Sequence, residues 1–283
     1  MYHDLDAQTR GALQMSADAL RAELGARAEI FADNDAMISA LADHMLGDYL
    51  AALQAGRDRV GMIVPVGPVG QYPLLARRAQ EQGVSLDRLS LFVMDEYLTD
   101  AGAWIPEDDP LSFRAHIRRN LLEHLPLEMR PEVIVPDPGD PGAVGRRAGE
   151  IGRLDVTYAG VGITGHLAFN EPMPGCDSAD YFASLPTRVV PLLPETRLIN
   201  SVTAARGNVA RIPRMAVTVG MREILQAKRL RIFMNRHWQC AAIRRLAFGP
   251  VTAGFPASLA QTHPDWSLHL VEEVLEAPEP VLA

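Results

Sequence analysis

Lysine is all but missing from this 283-residue chain: Lys228 is the only one, and the other 26 basic residues are arginines. Any Schiff-base or P-loop lysine would have to be Lys228, which stands in a polar, charged context between Ala227 and Arg229. Over most of the chain the bias reads as a preference for arginine codons. Cysteine is scarce too. Cys176 and Cys240 are too few for a disulfide scaffold or a cysteine zinc cluster, and they point to a reducing compartment. The first residues, Met1 to Asp6, lack the basic start and apolar core of a signal peptide. No run approaches the roughly 18 apolar residues that a membrane span needs. A cytoplasmic protein without membrane association is expected. A net charge of -8 argues against a non-specific nucleic-acid binder.

What is present is ordinary globular composition, 48% hydrophobic and 22% charged. The pattern predicts a helix over 9–24, a strand at 28–31 and a long helix capped by Asp33 or Asn34, with Ile38, Leu41, Met45, Tyr49 and Leu53 on its apolar face. Short apolar runs then alternate with helices: 60–66, helix 72–82, 89–94, a polar loop, helix 112–122, 133–135, 155–161, 215–219 leading into a helix, 230–234 and 268–271. Runs apolar on both sides, spaced by helices, predict a mostly parallel sheet covered on both faces. The expected fold is one Rossmann-like α/β domain over 1–283. Chemistry in such sheets collects beyond the carboxyl ends of the strands, so the loops beginning near Val66, Met94, Val161, Val219 and Met234 are the ones to inspect.

One of these contains Gly160-Val161-Gly162-Ile163-Thr164-Gly165, a literal G-x-G-x-x-G after a strand. A dinucleotide site is the poorer reading, because Pro172 and then Pro174-Gly175 leave no room for the crossover helix. The glycines are better read as giving a sharp turn or a close backbone approach to a small ligand. Next comes His166-Leu167-Ala168-Phe169-Asn170-Glu171-Pro172. A histidine after a flexible loop with a carboxylate close behind suits a general acid/base and its orienting partner; a histidine that merely caps a turn is the alternative. At the end of the 89–94 run stand Asp95 and Glu96. Two acids ending a buried strand are costly unless solvated, paired or functional, so Asp95 is either a cap or a carboxylate base.

The stretches Phe92-Val93-Met94-Asp95-Glu96-Tyr97 and Gly162-Ile163-Thr164-Gly165-His166-Leu167-Ala168-Phe169-Asn170-Glu171-Pro172 resemble the two signatures of glucosamine-6-phosphate deaminases. Weaker matches at 112–114, 187–190, 196–201, 213–220 and His263-Pro264 extend the resemblance over about 30–275. It implies an isomerisation with loss of ammonia from an amino sugar, using no metal and no cofactor. It gives His166 the proton shuttle at the ring oxygen, Glu171 the hold on its imidazole, and Asp95 the proton transfer from C2 to C1. It places Val66, Gly67, Thr164, Gly165, Asn170 and Arg197 at the substrate and a lid around 173–210. The oligomeric state stays open, since the family ranges from monomers to hexamers.

Departures cluster at the family's phosphate site. The first-strand loop, a Pro-Thr-Gly-(Ser/Gly)-Thr-Pro type in the family, reads Pro65-Val66-Gly67-Pro68-Val69-Gly70 here. The family's arginine after the Asn-Ser pair falls at Val202, and its lysine aligns near Gln239. A changed ligand, unphosphorylated at that position, is one reading; a charge supplied from Arg236, Arg206 or Arg211 is the other. Thr164 replaces a common Asp or Asn, so its hydroxyl can hydrogen-bond but brings no charge beside the ring. The stretch 173–185 looks longer than its counterpart, as a remodelled lid beside the site would. Val190 stands where an allosteric lysine would. Two other functions remain: a sugar lactonase of the related 6-phosphogluconolactonase family, and a sugar sensor without turnover.

Overall fold

The computed structural model describes residues 5–279. Residues 1–4 of the segment inspected for a leader lie outside the described residues. Among the described residues are ten strands: β1 (Ala28–Phe31), β2 (Val60–Val64), β3 (Leu89–Val93), β4 (Asp95–Leu98), β5 (Glu132–Ile134), β6 (Val156–Ala159), β7 (Arg188–Pro191), β8 (Met215–Thr218), β9 (Arg229–Met234) and β10 (Trp266–Val271).

Seven of them form a parallel sheet in the order β1-β10-β9-β6-β2-β3-β5. The apolar runs are its strands because both faces are covered: every residue of β2, β3 and β6 is buried. Gly61 of β2 is fixed by packing, since a Cβ there would lie 2.6 Å from a Leu154 methyl. The long helix Asn34–Gln54 is capped by Asp33, whose carboxylate accepts the Ala36 N–H at 2.8 Å, a contact worth about 1 kcal/mol. Its Ile38, Leu41, Met45 and Tyr49 are buried, and Leu53 is half-buried.

Three expectations need correction. Residues 9–24 are two helices, Ala7–Leu13 and Ala17–Leu24, because Ser16 caps the second by accepting the Ala19 N–H. The polar loop after β3 opens as a strand instead. β4 begins one residue beyond β3 and pairs antiparallel with β8, which pairs with β7. Met215–Thr218 therefore belongs to a separate three-stranded sheet, not to the parallel one. This small sheet has its own apolar cluster, including Tyr97, Ile105, Phe169 and Ile212. No helix among the described residues is long and apolar enough to cross a membrane.

Candidate active site

A cleft of about 320 Å³ opens over the carboxyl ends of β2, β3, β6 and β9. From β2 the chain adds β3 and β5 on one side and then β6, β9 and β10 on the other, so the cleft lies where the strand order reverses, the position where α/β folds bind ligands. Loop 65–69 forms one wall. Asp95, Tyr97 and Phe113 form another, and Gly160 to Gly162 with His166 the floor. Asn200, Thr203 and Ala204 come from the helix Pro194–Ala204, and Arg236, Trp238 and Gln239 from the turn after β9.

Asp95 and Glu96 leave β4 on opposite faces, as successive strand residues must. Glu96 is fully buried away from the cleft. It accepts the Ser112 hydroxyl, the Phe113 and Arg114 N–H groups and the Arg114 guanidinium, and so anchors the start of the helix Phe113–Asn120. Asp95 lines the cleft. Its Oδ1 accepts the Phe169 N–H at 3.1 Å, and it sits opposite Thr218 of β8. Burial lifts its pKa to about 7; hydrogen bonds from Thr218 and the Phe169 N–H resist that rise, and the charge of Glu96 adds to it. A carboxylate tuned to neutrality in a cleft is equipped for general base work.

His166 is 8% exposed and turns its two nitrogens to different tasks. Nδ1 lies 2.8 Å from the Thr164 hydroxyl, and 3.5 Å from both Glu171 Oε1 and Thr196 Oγ1. Glu171 can only accept, so a proton on Nδ1 satisfies this side and leaves Nε2 with a free lone pair. Burial pushes the Glu171 carboxyl up, but hydrogen bonds from His166, Thr196 and the Leu193 N–H outweigh it and hold the group below its usual range. Its Oε2 accepts the Leu193 N–H at 2.6 Å, which ties the helix Pro194–Ala204 to the histidine. Thr196, whose hydroxyl donates to Glu171 Oε1, is a member of this cluster that residue patterns did not single out. It stands in the matched stretch 196–201, but only the fold brings it to Glu171.

The remaining expected residues divide. Val66 and Gly67 line the cleft. Thr164 and Gly165 lie behind His166 rather than in the lining. At Gly165, φ is +79° and a Cβ would meet the Phe255 ring at 2.3 Å, so only glycine fits. Asn170 is a brace rather than a ligand. Its amide donates to the Leu167 and Val219 carbonyls and its oxygen accepts Arg188. Arg197 points away from the cleft, donating to the Ile212 carbonyl at 3.3 Å. Stretch 173–185 also supplies no lining residue, because its helix Ala179–Ala183 buries Phe182 in the main core. Tyr97, Asn200 and Thr203 are lining residues not expected from sequence; Asn200 donates to the Tyr97 hydroxyl at 2.9 Å.

A glucosamine-6-phosphate deaminase of Rhodococcus jostii is 31% identical over 216 residues, 75% of this chain and 78% of its own. The chain belongs to the glucosamine-6-phosphate deaminase family. Another member, from Corynebacterium kroppenstedtii, is 30% identical over 210 residues, 72% of this chain and 76% of its own. Glucosamine-6-phosphate deaminase 2 of Bacillus subtilis is 30% identical over 220 residues, covering 75% and 82%. Among solved structures, a monomeric glucosamine-6-phosphate deaminase superposes with a TM-score of 0.72 at 24% identity, covering 88% of this chain and 98% of that one. A 6-phosphogluconolactonase from Shewanella baltica shares the fold at a TM-score of 0.62 and 16% identity, covering 86% and 97%. No model of a known protein family matches the chain. The stretches 92–97 and 162–172 come together in the structure, and both reach the cleft, the first through Met94, Asp95 and Tyr97 and the second through Gly162, His166, Ala168 and Phe169.

Proposed function

We propose that the cleft converts an amino aldose to a ketose with release of ammonia, with Asp95 as base and His166 as proton shuttle. The observation that carries this reading is that a carboxylate tuned to about 7, Asp95, and the imidazole of His166 line the same cleft. His166 Nε2 moves a proton at the ring oxygen as the sugar opens. The aldehyde at C1 then acidifies the C2 hydrogen. Asp95 takes that proton as the C1–C2 double bond forms and the carbonyl pair moves onto O1. The same carboxyl then returns the proton to C1 while the amino nitrogen forms the C2=N bond and gives up one proton, which O1 takes to become a hydroxyl. The C2 imine that results adds water and loses ammonia, leaving the ketone. Glu171, Thr164 and Thr196 keep the imidazole aimed, and Thr218 with the Phe169 N–H does the same for Asp95. A single domain with a lid over 173–210 belongs to the same proposal; Asn200, Thr203 and Ala204 are the lid's share of the cleft.

The substrate of this proposal lacks a phosphate at C6. The wall where the family resemblance calls for phosphate ligands carries Val66, Pro68, Val69 and Gln239. Gln239 is neutral and already engaged, its amide donating to the Val161 carbonyl and its oxygen accepting the Arg236 N–H. Charge-assisted hydrogen bonds to a phosphate contribute about 1.5–3 kcal/mol each, so losing several weakens a dianion's hold severely. One observation favours a second reading: Arg236 lines the cleft and could meet a phosphate alone. Of the other two arginines that could replace the missing charge, Arg211 pairs with Asp109 at 2.5 Å and Arg206 is absent from the lining.

Lactone hydrolysis is disfavoured because it has no use for a C2 base such as Asp95. Steady-state ammonia release from glucosamine 6-phosphate and from unphosphorylated amino sugars tests the choice. Turnover of the phosphorylated sugar alone, lost in Arg236→Gln, would establish the second reading in place of the first.

A further inference from the structure

At the β1 edge of the parallel sheet, two imidazoles converge on one carboxylate. Glu29 of the edge strand β1 and His269 of β10 are register partners. Glu29 Oε2 lies 3.1 Å from His269 Nδ1 and 2.9 Å from Nε2 of His44, which descends from the helix Asn34–Gln54. The three donor atoms lie within 4.8 Å of one another, and they come from three separate elements. We propose that Glu29, His44 and His269 form a binding site for a divalent transition-metal ion of the zinc type, outside the catalytic cleft.

Two nitrogens and one oxygen match the donor preferences of zinc, and zinc bonds of about 2.0–2.2 Å place neighbouring ligand atoms roughly 3–3.5 Å apart. Metal-ligating histidines are aimed by a partner on the other ring nitrogen. His269 has one: its Nε2 lies 3.1 Å from the Ser267 hydroxyl, which can donate or accept as the tautomer requires. The His269 ring is also clamped, stacked on Phe233 with centroids 4.3 Å apart and planes 9° from parallel. The contrast with Asp48, one helical turn beyond His44, is informative. Asp48 is filled by Arg229, Arg231 and Tyr158, whereas Glu29 meets only imidazoles and keeps an exposed side for a water as fourth ligand. An ion held here would clip the edge strand to β10 and to the long helix.

Titration of the chelator-treated, full-length protein with Zn²⁺ alone tests the proposal by calorimetry and thermal melting. One ion per chain is expected, with Tm rising by about 5 °C once free zinc reaches a hundredfold excess over Kd. Mg²⁺, which prefers oxygen ligands, leaves Tm unchanged. His44→Ala and Glu29→Gln, at positions open enough to tolerate them, each weaken binding at least tenfold. An anomalous zinc peak between the three side chains supports the site. Absence of stoichiometric binding, equal affinity in both variants, or a peak elsewhere overturns it.

Discussion

Gly162 lies flat against the His166 imidazole: a Cβ built on it would sit 1.9 Å from Nε2. The glycine is therefore part of how the histidine is held, since nothing larger leaves room for the ring. Gly162→Ala displaces the imidazole from Asp95 and the substrate, and displacements of about 1 Å can cost a hundredfold in rate. The expected result is a kcat lower by at least tenfold in a protein whose melting temperature changes little. An unchanged kcat would mean that the ring position is not critical.

Asp95 sets two opposed pH dependences. In the proposed role of base it must be ionised, so kcat/KM should rise with pH through about 7. Folding runs the other way. Its folded pKa stands above the ordinary carboxylate value of 3.8, so between about 4 and 7 the native protein binds more protons than the unfolded one. Asp95's contribution is therefore most stabilising below pH 4 and is lost as pH rises through 7. Asp95→Asn, which cannot ionise, should gain in Tm relative to wild type between pH 5 and pH 8 while losing its activity. Parallel melts at the two pH values check the sign.

Glu96, the adjacent acid, separates structure from chemistry. Glu96→Gln removes the charge facing Arg114 and unsettles the start of helix Phe113–Asn120, at a cost of about 3 kcal/mol of stability. Because Glu96 faces away from the cleft, kcat per folded molecule should hold within a few-fold. Its charge also helps raise Asp95, so the acid limb of the pH profile should move to lower pH. Denaturant unfolding and a pH–rate profile on the same variant measure both effects.

Thr164 is the nearest partner of His166 Nδ1, at 2.8 Å, nearer than Glu171 at 3.5 Å. Thr164→Val keeps the shape and removes the hydroxyl, and the loss of one such bond is worth about 1 kcal/mol. A fall in kcat of roughly five- to tenfold is expected, with KM nearly constant. A change in KM alone would place Thr164 at substrate binding instead.

The parallel sheet was legible because its strands are buried on both faces, so β2, β3 and β6 read as unbroken apolar runs. The small sheet was not. β4 opens with Asp95-Glu96, a pair that resembles loop chemistry, and its burial depends on Arg114, Ser112 and Thr218 arriving from distant segments. The catalytic candidates lay at strand ends and could be found from that rule together with their residue types. Arg197 shows the limit of carrying a role over by resemblance, because its guanidinium is consumed by the Ile212 carbonyl. Thr196 and the Glu29, His44 and His269 cluster were hidden for a simpler reason: their members are far apart in the chain and only the fold assembles them.

The proposed function assigns to Asp95 the proton transfer that leads to ammonia release. Its most direct test is ammonium and ketose formation from a panel of amino sugars, phosphorylated and not, by wild type and Asp95→Asn at matched folded concentration. Wild type should release ammonium with an equimolar ketose, and Asp95→Asn should be slower by about a hundredfold or more. Full activity in Asp95→Asn, or lactone hydrolysis with no ammonium from any amino sugar, would contradict the account.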